Sequence, residues 1–235
     1  MITTIQNTKS AACPNCGIPQ TFGGCDMFKN YIPPCDDCGE ILNETFKISQ
    51  EREKWNRYFN EHLPNGYRSA TPAMVSPHFA SALEWRAAIK HGGLGLVGPS
   101  GAGKSSAITC LLYRLKLPFL WWSGTEARDA ATEAATADRD REGARRRWDL
   151  AARIPILVLD DISQGRMTEA WSAKLFDLLE TRMGGGLPTL WTSQISLPDL
   201  RAKIARQNGG DTEQADAISR RLAQHSLTLK ASNQS

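Results

Sequence analysis

The chain has 235 residues, of which 41% are hydrophobic and 23% charged, and its formal net charge is +3. That is enough for one α/β domain plus a small extra module, and the charge is too small to argue for nucleic acid except through local clusters. No apolar run approaches the ~18 residues of a membrane span. Met1 to Ser10 lack the apolar core of a signal peptide. A cytoplasmic protein with no membrane partner is therefore expected, and six cysteines in a reducing compartment favour metal binding or free thiols over disulfides.

In chain order, the first signal is a pair of cysteine knuckles, Cys13-Pro14-Asn15-Cys16 and Cys35-Asp36-Asp37-Cys38, in the pattern C-x2-C-x18-C-x2-C. Two matched pairs fit a four-cysteine Zn²⁺ site. Gly17 and Gly39 follow the pairs, where a knuckle often needs a glycine conformation. The intervening fragment has few large apolar residues (Phe22, Met27, Phe28, Tyr31, Ile32) and is too small to fold by burial alone, so a structural metal makes physical sense. Cys25 could replace a ligand. Free thiols or a dithiol redox pair are the alternatives.

Ser49 to His62 reads as a charged helix with Trp55 and Phe59 on one stripe, broken by Pro64-Asn65-Gly66. Phe79 to His91 reads as a second helix, stopped by Gly92-Gly93. The expected division is 1–48 as a partner-docking zinc module, 49–70 as a linker helix and 71–235 as the main domain.

Five apolar runs then alternate with helical ones: Leu94–Val97, Phe119–Trp122, Ile156–Asp160, Thr189–Thr192 and Leu227–Leu229. Such alternation predicts a parallel sheet covered by helices, with ligands at the carboxyl ends of the strands. At the end of the first run stands Gly98-Pro99-Ser100-Gly101-Ala102-Gly103-Lys104-Ser105, followed by Ser106 and a helical run to Leu117. This is a complete phosphate-binding loop between strand and helix. Its N–H groups would cradle phosphates, Lys104 would reach the β- and γ-phosphates, and Ser105 would place its hydroxyl on Mg²⁺. The third run ends in Asp160-Asp161. The first acid would hold Mg²⁺, and the second could orient the attacking water. At the end of the fourth run, Ser193 and Gln194 could hold that water or sense the γ-phosphate, or could simply form a strand-end turn.

Glu126 to Arg153 reads as one long or two shorter helices. Arg145, Arg146 and Arg147 beside Trp148 would suit phosphate contact plus base stacking. A solvated helix with pairs such as Glu142–Arg146 explains them equally well. Near the C-terminus Arg220 and Arg221 lie on a helix before the last run. One could serve as an arginine finger in a neighbouring subunit's site, and surface charge is the plainer reading.

From Leu63 to about Lys230 the chain resembles the DnaC/DnaI helicase-loader branch of AAA+ ATPases, close to the IstB transposition ATPases. The residues that carry this are Leu63-Pro64 with Tyr67, the phosphate loop, Leu157-Val158-Leu159-Asp160-Asp161, Leu175-Phe176 with Arg182, Leu187-Pro188-Thr189 with Thr192-Ser193, and Ile218 with Arg221-Leu222. The resemblance implies a five-stranded sheet of order 5-1-4-3-2 and ATP sites shared between protomers of a homo-oligomer. It makes Arg221 the better finger match, with Arg220 the alternative. The family usually has Asn where this chain has Gln194. It implies an ATP- and Mg²⁺-dependent loader, slow in hydrolysis, that grips a DnaB-type replicative helicase through an N-terminal zinc module and places it on single-stranded DNA. The compact layout would also suit a phage replication protein. An IstB-like ATPase that oligomerises on double-stranded DNA and recruits a transposase is the alternative. A module that holds nucleotide without turnover is a third reading, against which intact Lys104, Ser105, Asp160 and Asp161 argue.

Overall fold

The structure is a computed structural model, and residues 8–23, 34–83, 92–135 and 141–231 are described. The chain divides into two compact units, Met1–Tyr58 and Phe59–Ser235.

In the first unit, β1 (Thr8–Ala12) and β2 (Pro19–Gly23) form an antiparallel hairpin. Its strands read TKSAA and PQTFG, too polar for alternation to reveal them. Helix α1 (Asp36–His62) begins far upstream of Ser49 and runs through the expected boundary at residue 48. Asp36 and Asp37 sit in its first turn, where carboxylates complement the helix dipole. The knuckle at Cys35 thus opens directly into the helix. Gly39 donates its N–H to the Cys35 carbonyl at 2.7 Å as part of that first turn. Gly17, with φ of +75°, does adopt the left-handed conformation expected of a knuckle glycine.

The second unit holds a parallel sheet of β3 (Gly93–Val97), β4 (Phe119–Ser123), β5 (Ile156–Asp160), β6 (Thr189–Ser193) and β7 (Leu227–Lys230), in the order β4-β5-β6-β3-β7. Numbered within the sheet this is 5-1-4-3-2, as the resemblance implies. β3, β5 and β6 are buried along their whole length, which explains the apolar runs of β3 and β5, while β6 also buries the hydroxyls of Thr189, Thr192 and Ser193. Around the sheet lie α2 (Lys104–Leu115), α3 (Gly124–Ala135), α4 (Arg141–Arg153), α5 (Glu169–Gly184), α6 (Leu197–Gln207) and α7 (Thr212–Gln224). The arginine-rich stretch is therefore two helices, α3 and α4. Two short 3-10 turns, Asn65–Tyr67 and Pro72–Met74, precede the sheet. Most of the helix expected over Phe79–His91 lies outside the described residues. Phe59 packs edge-on against Tyr113 at 5.3 Å and Phe119 at 5.8 Å. No described helix is long and apolar enough to cross a membrane.

One buried cation fastens the amino end of the sheet. Arg182 on α5 is 0% exposed. Its guanidinium donates to the carbonyls of Ala151 (2.7 Å), Ile154 (2.9 Å) and Pro188 (2.6 Å) and to Thr189 Oγ1 (2.9 Å). These acceptors lie on α4, just beyond it, and at the start of β6. Burial lowers its pKa to about 10, so it stays charged at neutral pH. Arg182→Ala would remove a donor from each of those acceptors, of which Pro188 keeps the Leu157 N–H. We expect a loss of about 3–4 kcal/mol of stability at roughly 1 kcal/mol per bond, measurable as a lower midpoint in urea unfolding.

Candidate nucleotide and metal sites

The phosphate loop leaves β3 and ends at the N-terminus of α2. Gly101 and Gly103 have φ of +78° and +80°, and Gly103 caps the helix in the left-handed conformation. A β-carbon on Gly103 would lie 2.9 Å from the Met74 carbonyl oxygen, so the residue before Lys104 must be glycine on two counts. Ser100, Gly101, Ala102, Gly103, Lys104, Ser105 and Ser106 line an open cavity of about 730 Å³ together with Asp160, Asp161, Gln194, Tyr67, Met74 and Thr192. Free N–H groups at a helix N-terminus make such a hollow an anion site.

Lys104 is buried, and its ammonium donates to the carbonyls of Gly98 and Pro99 at 2.7 Å each. Gly98 and Pro99 thus hold the lysine from the rim and do not themselves line the cavity. Burial pushes the Lys104 pKa down, and the carboxylates of Asp161 and Asp160 oppose that shift. A phosphate would add to the same opposing field.

Asp160 closes β5 and collects three donors: Ser105 Oγ (2.8 Å) and Thr192 Oγ1 (2.7 Å) on Oδ1, and the Tyr67 hydroxyl (3.0 Å) on Oδ2. Ser105 and Asp160, a hydroxyl and a carboxylate in contact at the loop, are oxygen donors of the kind Mg²⁺ takes. Asp161 has φ of +54°, a conformation that costs a non-glycine residue roughly 1–2 kcal/mol. The turn swings its carboxylate onto a different set of partners, Ser163 Oγ at 2.7 Å and Gln194 Nε2 at 2.5 Å. Its own N–H donates to Thr192 Oγ1 at 2.7 Å. Backbone geometry thereby gives the two acids different side-chain partners, apart from Thr192, which bonds the Asp160 carboxylate and the Asp161 N–H.

The structure brings Gln194 to the site but not Ser193. Ser193 is 0% exposed, and its hydroxyl donates to the Ile195 carbonyl at 2.6 Å. Strand alternation gives the inward place to Thr192 instead. Thr192 and Tyr67 are the site residues that the motif reading left without a role. Arg221 does not line the cavity. It pairs with Glu180 and stands 5.8 Å over the Phe176 ring. Arg220 is exposed on α7. Of the arginine cluster on α4, Arg146 pairs with Glu142, Arg147 lies 3.9 Å from Glu133, and Arg145 is exposed. Trp148 is partly buried and stacks one face on Trp122 at 5.6 Å.

In the first unit, the sulfurs of Cys13, Cys16, Cys35 and Cys38 all lie within 4.8 Å of one another. The Cys35 N–H donates to Cys13 Sγ at 3.3 Å and is the main reason the Cys13 thiol falls to a pKa of about 6. Cys38 is pushed up to about 12, chiefly by hydrogen bonding with Cys35 and then Cys16. Four sulfurs that crowd one point resist deprotonating together unless a cation neutralises them, and a tetrahedral thiophilic ion fits the set. Cys110 is buried on α2, away from this cluster in sequence, and burial raises its thiol pKa. Cys25 lies outside the described residues.

The sheet order, the phosphate loop and the paired acids at the end of β5 define an AAA+ type P-loop domain. Solved structures share this fold. A chain from Streptococcus pyogenes serotype M3 described as a primosome component is 21% identical, over 74% of this chain and 95% of that one, with a TM-score of 0.56. DnaI is 20% identical, over 72% of this chain and 95% of its own, with a TM-score of 0.61. The DnaC helicase loader is 15% identical, over 72% of this chain and 100% of its own, with a TM-score of 0.55. No protein-family model matches the chain, and comparison with curated proteins gives no match.

The cysteine geometry leads to a direct measurement. The purified protein should carry about one equivalent of zinc by elemental analysis, and Cys35→Ser should lose most of it while phosphate-loop nucleotide binding persists.

Proposed function

We propose that the protein is an ATP-dependent loader of a hexameric, DnaB-type replicative helicase, acting in the cytoplasm. The observation that carries this is the joining, in one chain, of a four-cysteine module to an ATPase core built like DnaI and the DnaC helicase loader. In this reading ATP lies in the phosphate-loop cavity, with Lys104 on its phosphates and Ser105 and Asp160 holding Mg²⁺. Bound Mg²⁺ supplies charge neutralisation at the β- and γ-phosphates. Asp161, oriented by Ser163 and Gln194, accepts a proton from or positions the attacking water. Arg220 and Arg221 are the candidates for a finger reaching a second copy's site. Arg220 is the more accessible, because Arg221 must first leave Glu180 and Phe176. Arg145–Arg147 would contribute phosphate contacts to single-stranded DNA.

The cysteine module, with zinc in place, is the docking element. Next to it on α1, Ile41, Leu42, Phe46 and Ile48 are 63%, 48%, 62% and 58% exposed. Large exposed apolar side chains on successive turns suit a protein partner.

The test is the mass of complexes formed with a replicative helicase, with and without ATP and single-stranded DNA. A stable complex, weakened tenfold or more by Phe46→Asp in the full chain, is expected for a buried apolar anchor. No complex, with ATP-dependent filaments on duplex DNA, would overturn the reading in favour of an IstB-like transposition ATPase. Lys104→Ala should abolish binding of a fluorescent ATP analogue, and retained affinity would remove the nucleotide from this cavity.

A further inference from the structure

Asp160 has three partners, and two of them, Thr192 and Tyr67, come from outside the phosphate loop. A carboxylate offers two lone pairs on each oxygen. Ser105 and Thr192 take both on Oδ1, and Tyr67 takes one on Oδ2. Among the described residues, one acceptor position on Oδ2 remains for a cation or its water.

Tyr67 is itself held from two sides. Its ring lies 5.2 Å from that of Trp121 on β4. Its N–H donates to the Pro64 carbonyl at 2.9 Å, closing the 3-10 turn Asn65–Tyr67. Further along the same segment, the Met74 carbonyl fits against Gly103 so closely that a β-carbon there would be 2.9 Å away. Tyr67 and Met74 both line the cavity. The segment before the sheet therefore supplies Tyr67 and Met74 to the wall of this cavity.

We infer that Tyr67 is the positioning residue of the Mg²⁺ site: its hydroxyl fixes the rotation of the Asp160 carboxylate so that the remaining Oδ2 lone pair serves the metal. Residues hydrogen-bonded to ligating carboxylates commonly govern metal affinity by ten- to hundredfold. This inference rests on the nucleotide reading above. It predicts that the hydroxyl matters to the metal and not to the phosphates.

The test is Tyr67→Phe, which keeps the ring against Trp121 and removes only the donor. Binding of a fluorescent ATP analogue is titrated with Mg²⁺ at fixed nucleotide, and separately measured in EDTA. The half-saturating Mg²⁺ concentration should rise about tenfold or more, while the metal-free affinity stays near wild type and the unfolding temperature falls by no more than about 2–4 °C, the cost of one hydrogen bond. Mn²⁺ titration followed by electron paramagnetic resonance should report the same weakening without nucleotide turnover. A wild-type Mg²⁺ dependence in Tyr67→Phe would overturn the inference and leave the nucleotide site standing. Tighter Mg²⁺ binding would overturn it too, because the hydroxyl would then compete with the metal. If the wild-type protein bound no nucleotide with Mg²⁺ present, the nucleotide reading would fail and this inference with it.

Discussion

The geometry of the nucleotide cavity depends on the Asp160 carboxylate. It ends a buried strand and opens only its tip to the cavity, so most of its lone pairs must be satisfied locally. Its partners come from three places: the helix after the phosphate loop, the neighbouring strand β6, and the segment before the sheet. One acid thereby sets the spacing between the loop, the sheet and the cavity wall. Thr192 extends the arrangement, since its hydroxyl donates to Asp160 and accepts from the backbone of Asp161. The left-handed turn at Asp161 then sends the second carboxylate elsewhere. Adjacent acids with separate partners are what a metal-holding group and a water-orienting group need if they are not to share one proton.

Much of this was legible in the sequence because burial leaves a mark on composition. Strands covered on both faces are mostly apolar, and all five runs appear as strands in the implied order. The phosphate loop was legible because few other backbones need glycines at those positions. The cysteine spacing was legible because a tetrahedral ion leaves few choices. The β1–β2 hairpin was not, since its residues carry no alternation. The start of α1 was hidden because the second knuckle looked like a loop, and Gly39 like its closing residue, when the helix begins there.

The remaining differences concern which way a side chain faces. Ser193 and Thr192 are neighbours of similar chemistry, and only the pleat decides which one meets Asp160. Trp148 stands beside three arginines in sequence, yet its ring packs on Trp122. Arg221 fits a finger by position, and its pairing with Glu180 becomes visible only when α5 and α7 are packed together. Tyr67 lay in a stretch read as a linker, because proline and glycine there signal a break and say nothing of the strand end that the break is folded against.

Strand β6 has an unequal pair of ends. Arg182 grips its first residue and the one before it, whereas Thr192 and Gln194 serve the cavity at the other end. The two ends are separated by Leu190 and Trp191, both buried. Changes at Arg182 should thus alter how firmly the amino end of the sheet is held without touching the cavity, whereas changes at Thr192 should reach both, because its buried hydroxyl bonds Asp160 and the Asp161 N–H. The strand has one dial for durability alone and a second that turns durability and chemistry together.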